Sequence, residues 1–276
     1  MFKSILAVSE GGPDAAMSFK LAARVAGLFD GTVDALHLPV GPAGGMIGGL
    51  AMSGEAMPLI MNLDDERLEE RAKESERAYK ELLEPVKGST FTAAKTATLD
   101  TLVAMGRCSD VLVLGRPGAD PENVAPATVE AAIHECARAV MIAPPNPGEG
   151  PFDSVIVAWN GSFQAARAVE YALPFLAKAK EITILVAGST ADDVGAPYLA
   201  RNLGRHGIKT TIDAIDPGAV SARARGRALL DYTHGKGSSL LVMGAYGRGQ
   251  VMSFLGMGGA TAKVISSCRV PFLMAH

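Results

Sequence analysis

Several kinds of chemistry are ruled out by what the sequence lacks. Its three cysteines, Cys108, Cys136 and Cys268, make an odd count without metal-ligand spacing, which suits a reducing cytoplasm rather than a disulfide framework. His134 and Cys136 stand two apart, but no further ligands follow nearby, so a zinc site is not expected. No apolar run reaches the roughly 18 residues of a membrane span. The start, Met1 to Val8, enters a strand pattern directly and has no signal-peptide layout. Net charge is −3 with no basic cluster, which argues against nucleic acid as a partner. There is no Gly-x-Ser-x-Gly elbow, HExxH helix or Walker lysine, so no nucleophile or general base announces itself. Ser9-Glu10-Gly11-Gly12-Pro13-Asp14 looks a little like the S-G-G-x-D-S loop of ATP pyrophosphatases, but Glu10 interrupts it and Ala15 replaces its last serine.

What is present is an ordinary globular composition, 48% hydrophobic and 20% charged. The 276 residues suffice for one large domain or two. A repeat decides for two. Lys3-Ser4-Ile5-Leu6-Ala7-Val8-Ser9-Glu10-Gly11-Gly12 with Asp14-Ala15-Ala16 matches Asp153-Ser154-Val155-Ile156-Val157-Ala158-Trp159-Asn160-Gly161-Ser162 with Gln164-Ala165-Ala166. Ser109 to Gly118 matches Ser238 to Gly247, and Cys136 precedes Val140-Met141-Ile142-Ala143 as Cys268 precedes Phe272-Leu273-Met274-Ala275. The Pro/Gly stretch Pro144 to Pro151 reads as the linker between domains 1–146 and 151–276.

Within each copy, buried-type strands alternate with helical patterns. Strands are expected near 3–9, 32–39, 91–98, 110–115 and 139–143, then near 153–159, 181–187, 208–214, 239–244 and 271–275. Helices are expected near 13–28, 63–86, 100–107 and 127–136, then near 162–178, 191–205, 218–234 and 259–267. Such alternation predicts an α/β fold with a mostly parallel sheet covered on both faces. The charged segment 63–86 reads as a solvated amphipathic helix with ion pairs.

The stretch that concentrates site chemistry runs from Ser239 to Gly249 and on through Gly256-Met257-Gly258-Gly259-Ala260-Thr261. A strand there feeds a glycine-rich loop and then a helix start. That combination brings backbone N–H groups and the positive end of a helix to an anion.

With strand 1 ending in a polar-Gly turn (Asn160-Gly161-Ser162 in the second copy) and strand 4 ending in G-x-x-G, the chain resembles the universal stress protein family, in its tandem two-domain bacterial form. The resemblance implies two Rossmann-like domains, adenine nucleotide α-hydrolase-like, each a five-stranded mostly parallel sheet flanked by helices. It further implies pairing of the domains through their last strands, leaves room for a homodimer, and suggests a cytoplasmic stress-response sensor or regulator binding ATP or AMP, with Mg²⁺ as a companion ion. No nucleic acid or membrane partner is implied.

Carried onto this chain, the nucleotide-binding residues would be Ala158, Asn160, Val186, Gly244, Tyr246, Gly247, Arg248, Gly249, Gly258, Gly259, Ala260 and Thr261. Ten residues separate Gly247 from Gly258, one more than the family's pattern, and Asn160 stands where the family often has Asp. Asn still donates and accepts hydrogen bonds and carries no charge to repel phosphate. The first copy is worn down, with Pro126 and Ala127 opposite Gly258 and Gly259, Asp120 and Glu122 in its loop, and Glu10 opposite Asn160. The second domain is therefore the expected binder and the first a structural partner. An alternative is a family member that has lost nucleotide and acts through protein–protein contacts; a slow ATP hydrolase ranks below both.

Other features stay open between two readings. The Met- and Gly-rich stretch 41–57 is a surface loop or a partner-binding flap. His37 is a satisfied strand-end histidine ahead of a pocket-lining residue. Arg248 meets a phosphate or points into solvent, and Trp159 packs or borders the base.

Overall fold

The computed structural model describes residues 1–12, 15–39, 56–117, 124–216, 222–245 and 260–276. The first half contributes β1 (Ser4–Ser9), α1 (Ala15–Phe29), β2 (Thr32–His37), α2 (Ala56–Leu82), β3 (Thr90–Thr92), α3 (Leu99–Arg107), β4 (Val111–Gly115), α4 (Pro126–Glu135) and β5 (Ala139–Ala143). The second contributes β6 (Ser154–Ala158), α5 (Phe163–Leu176), β7 (Glu181–Ala187), α6 (Ala196–Arg205), β8 (Thr211–Ile215), α7 (Ala222–Gly235), β9 (Leu240–Gly244), α8 (Ala260–Ser267) and β10 (Phe272–Ala275).

All ten strands lie in one sheet, in the order β3-β2-β1-β4-β5-β10-β9-β6-β7-β8. Each half has the same internal order, and the two meet at their last strands. β5 and β10 pair antiparallel, with Phe272 opposite Ile142 and Met274 opposite Val140, whereas the other pairings are parallel. The central strands are near-continuous apolar runs, because both faces of a parallel sheet are covered. Val111 to Gly115 is buried at every position, whereas the edge strand β8 is exposed along most of its length.

Side-chain alternation sends Ile5, Ala7, Val113, Met141, Val157 and Leu273 to one face, with Phe19, Val25 and Phe175 from α1 and α5. Leu6, Val8, Leu114, Ile142 and Met274 go to the other, with Leu102, Ile133, Leu229 and Val264 from α3, α4, α7 and α8. Both layers run across the boundary between halves. Four phenylalanines hold that boundary on the α1/α5 side. Phe2 and Phe152, each two residues before its strand, meet Phe29 and Phe175 near the ends of α1 and α5. Phe175 lies 5.2 Å from Phe2, 5.0 Å from Phe29 and 5.1 Å from Phe152 between ring centroids.

The Pro/Gly linker is tied down rather than free. Arg24 on α1 donates to the carbonyls of Pro147 (2.7 Å), Gly150 (2.6 Å) and Pro151 (3.0 Å), and its guanidinium lies 3.7 Å from the Phe152 ring centroid. Burial there lowers its pKa to about 10.

Several boundaries differ from the sequence expectation by two residues or more, β8 beginning at Thr211 instead of 208 and α2 ending at Leu82 instead of 86 among them. β3 stops at Thr92 instead of 98, since the chain turns to start α3, where Thr98 N–H donates to Thr101 Oγ1 at 3.1 Å. α2 begins at Ala56, ahead of 63. α6 begins at Ala196 instead of 191, because Gly195 takes a left-handed φ of 69° and Pro197 suits only a first turn.

Candidate functional site

In each half the chain leaves strand 1 toward strand 2 on one side and later returns to strand 4 on the other. That reversal opens a crevice beyond the carboxyl ends of the two central strands, the usual ligand position in open α/β sheets. In the second half the crevice lies between β6 and β9, where Ala158 is opposite Met243. The turn after β6 forms one wall. Asn160 is exposed, and its Oδ1 accepts the Ser162 N–H at 3.1 Å. Gly161 has φ 69°, and Ser162 Oγ caps α5 by accepting the Ala165 N–H at 3.2 Å. Half-buried Trp159 donates its indole N–H to Val194 O at 2.7 Å, so it fastens the rim by packing and hydrogen bonding.

β9 forms the other wall. A Cβ at Gly244 would lie 2.6 Å from Ala165 N and 2.8 Å from Gln164 C, so this glycine lets the strand pass against the first turn of α5. Beyond it, Ala245 N–H donates to Ala275 O at 2.8 Å. β9 and β10 are parallel, and a connection between parallel neighbours crosses over right-handed. The crossover helix α8 therefore starts at the same carboxyl edge that β9 reaches.

The structure thus brings Ala158, Asn160, Gly244 and the start of α8, with Ala260 and buried Thr261, to one edge. Val186 is fully inside the α5-side layer, so its side chain belongs to the core. Tyr246, Gly247, Arg248, Gly249, Gly258 and Gly259 lie outside the described residues, as does most of the 41–57 stretch and the pair Asp120 and Glu122.

The matching edge of the first half is closed by its own side chains. Glu10 is 4% exposed; its carboxylate accepts the Ala125 N–H at 2.9 Å and the Thr128 hydroxyl, both at the start of α4. Arg71 of α2 donates to Glu10 O at 2.7 Å, and Glu74 accepts the Gly12 N–H at 2.8 Å. Gly11, with φ 83°, sits so close to α2 that a Cβ would meet Arg71 Cβ at 2.4 Å. Ser9 Oγ lies 2.8 Å from Ser75 Oγ, which lies 2.9 Å from His37 Nδ1. Burial raises the Glu10 pKa, against the opposing effects of Thr128, Ala125 and Arg71. Burial, and then Arg71, lowers that of His37 to about 4, so its ring is neutral. His37 is bonded through one nitrogen; Nε2 has no partner among the described residues.

Arg71 and Glu74 belong to the segment that the sequence reads as a solvated charged face, yet with Ser75 they bond the turn after β1. Segment 63–86 does carry exposed ion pairs, Lys80–Glu76 at 2.7 Å and Lys95–Glu69 at 2.8 Å. Its inward face is polar as well, and the available signal was the i, i+4 alignment of Arg71 and Ser75 with Ala78 and Leu82. Among the described residues, no cluster of His, Cys, Asp and Glu could hold a metal ion, and no helix is long and apolar enough to cross a membrane.

No protein-family model matches the sequence, and no curated protein matches it. Solved structures do. A universal stress protein from Archaeoglobus fulgidus superposes over 99% of this chain and 97% of its own, with TM-score 0.64 at 17% identity. A protein from Pseudomonas aeruginosa assigned as a universal stress protein covers 99% of this chain and 92% of its own, with TM-score 0.53 at 12% identity. From end to end, two Rossmann-like halves included, the chain has the fold of the universal stress proteins.

Proposed function

We propose that this chain is a stress-response protein of the universal stress type that binds one adenine nucleotide, ATP or AMP, in its second half. The base lies between the ends of β6 and β7, near Ala158, Asn160 and the backbone of Val186. The phosphates, with Mg²⁺ when ATP is bound, lie on N–H groups of Tyr246 to Gly249 and of Gly258 to Thr261. Gly244 lets the strand that precedes that loop pass against α5, and Arg248, next to Gly247 in sequence, is a candidate for charge-assisted contact with a phosphate. The role is sensing or regulation, since the sequence supplies no evident base for turnover.

The observation that supports this reading is the placement of the end of β9 and the start of α8, which the glycine-rich run joins in sequence, at the switch point beside an uncharged Asn160 turn. A helix start carries partial positive charge that favours an anion. The test is mass spectrometry of the supernatant after denaturing freshly purified protein, followed by titration with ATP and Mg²⁺. Close to one nucleotide per chain is expected, and Gly247→Val should weaken binding by at least about tenfold, equivalent to about 1.4 kcal/mol. A wild-type chain that is empty and takes up no ATP refutes the reading. It would favour a partner-binding role instead, for which the exposed aromatics Phe163 and Tyr198, at 62% and 72%, are the supporting observation.

A further inference from the structure

We infer that the anion site at the start of α4 in the first half is filled by the chain's own Glu10 carboxylate, which excludes an external anion and leaves the chain one ligand site. The inference complements the nucleotide reading of the second half, and its test reads the first half alone.

The groups that would hold a phosphate at a helix start are the first N–H donors and any hydroxyl beside them. At α4 these are the Ala125 N–H and the Thr128 Oγ1, and both are taken by Glu10. Pro126, the first residue of α4, has no N–H to add. The carboxylate does not reach this position by accident of a loose turn. Its own carbonyl is held by Arg71 at 2.7 Å, and the next two residues are fixed by Ser9 Oγ, which accepts the Gly11 N–H at 3.0 Å, and by Glu74. Gly11 lies so close to the α2 backbone, 2.6 Å from Arg71 O to a Cβ built there, that no ligand fits between turn and helix. In the second half the equivalent residue, Asn160, is exposed and its Oδ1 folds back onto Ser162 N–H. The two halves differ in what occupies the helix start: a carboxylate held by two donors in the first, and no acidic side chain from the β6 turn in the second.

The experiment is rescue by small anions. Glu10→Ala removes the occupant and leaves its two donors unsatisfied. Glu10→Asn places there the residue that the second half carries at the same turn, a change the fold already accommodates. Thermal unfolding of both variants, the wild type and Glu10→Gln is followed with sodium formate or sodium phosphate replacing sodium chloride at constant ionic strength. Glu10→Ala is expected to melt roughly 5 °C or more below wild type. Formate and phosphate should each return part of that loss in Glu10→Ala and raise the melting temperature of Glu10→Asn by a few degrees, about 2–4 °C. The wild type and Glu10→Gln, whose side chains still fill the position, should shift less; any response common to all four is a general effect of the salt on the folded chain. Equal responses in all four proteins, or no response in either emptied variant, would overturn the inference. Neither result bears on nucleotide at the second half, which is read separately by its own stoichiometry.

Discussion

Replacing Phe29 by alanine tests whether the two halves unfold as one body. Phe29 ends α1, is 4% exposed, and contacts Phe2 at 5.2 Å and Phe175 at 5.0 Å, both edge-to-face. Truncating a buried phenylalanine costs about 3–5 kcal/mol, and each of its two aromatic pairs accounts for about 0.5–1.5 kcal/mol of that beyond area burial. With a urea m-value of about 3 kcal/mol/M, the midpoint should fall by roughly 1–1.7 M. The mutation is in the first half, whereas the sole tryptophan, Trp159, is in the second and is half-buried against Val194. Its fluorescence therefore reports the half that was not mutated. The shared sheet, two core layers crossing the boundary and the phenylalanine quartet all require the Trp159 transition to move by the full amount, coincident with the circular dichroism transition. A Trp159 midpoint that stays within about 0.2 M of wild type while the dichroism splits into two steps would refute the reasoning.

Two further outcomes follow from the turns at the strand ends. Gly244→Ala forces a Cβ to within 2.6–2.8 Å of backbone atoms of α5 that no side-chain rotation can relieve. It should cost about 1–3 kcal/mol in urea unfolding with m unchanged; a loss below about 0.5 kcal/mol would show that the close approach is not real. For Glu10, whose folded-state pKa is raised chiefly by burial, the contribution is fully present below the unfolded value and lost as pH rises through the folded one. His37 acts oppositely: lowered to about 4 in the folded chain, it costs stability progressively as pH falls below its ordinary value near 6.5. Subtracting the stability–pH curve of Glu10→Gln from that of the wild type removes the His37 part and should leave a difference that declines with rising pH. A flat or rising difference contradicts the assignment.

Most of the architecture was legible because the chain writes it twice, once in each copy. Strands such as Val111 to Gly115 and Leu240 to Gly244 are apolar at every position, and only a sheet covered on both faces asks for that. The paired Cys136 and Cys268 mark the same helix end in each copy, and both are buried there. Fusion of the halves through β5 and β10 came from the resemblance, since neither strand's residues say which edge it will present. What the residues concealed is polar and long-range. The bond from Glu10 to Thr128 spans 118 positions, and nothing in either stretch signals the other. The reason for Gly244 was also hidden: a glycine at a strand end reads equally as a phosphate contact or as space for a helix, and only the distance to Ala165 supplies the second.

The first half carries a cost that stability alone does not justify. A buried carboxylate is rarely worth more than a well-packed neutral group of its size, and the raised pKa of Glu10 says that burial outweighs its hydrogen bonds and the nearby Arg71. What the carboxylate does accomplish is to use up the donors at the α4 start, while α2, 27 residues long, fastens the turn through Arg71, Glu74 and Ser75. The corresponding helix α6 has 10 residues, and the segment before it reaches the β6 turn through the Val194 carbonyl and the Trp159 indole. The same strand order thus carries one turn locked by charge from within and one uncharged turn at an exposed edge. With the halves joined in one sheet, the locked half can serve as the rigid floor against which the open one is held. On the proposed reading, that division of labour gives each of the two copies a part, one holding the sheet and the other taking the ligand.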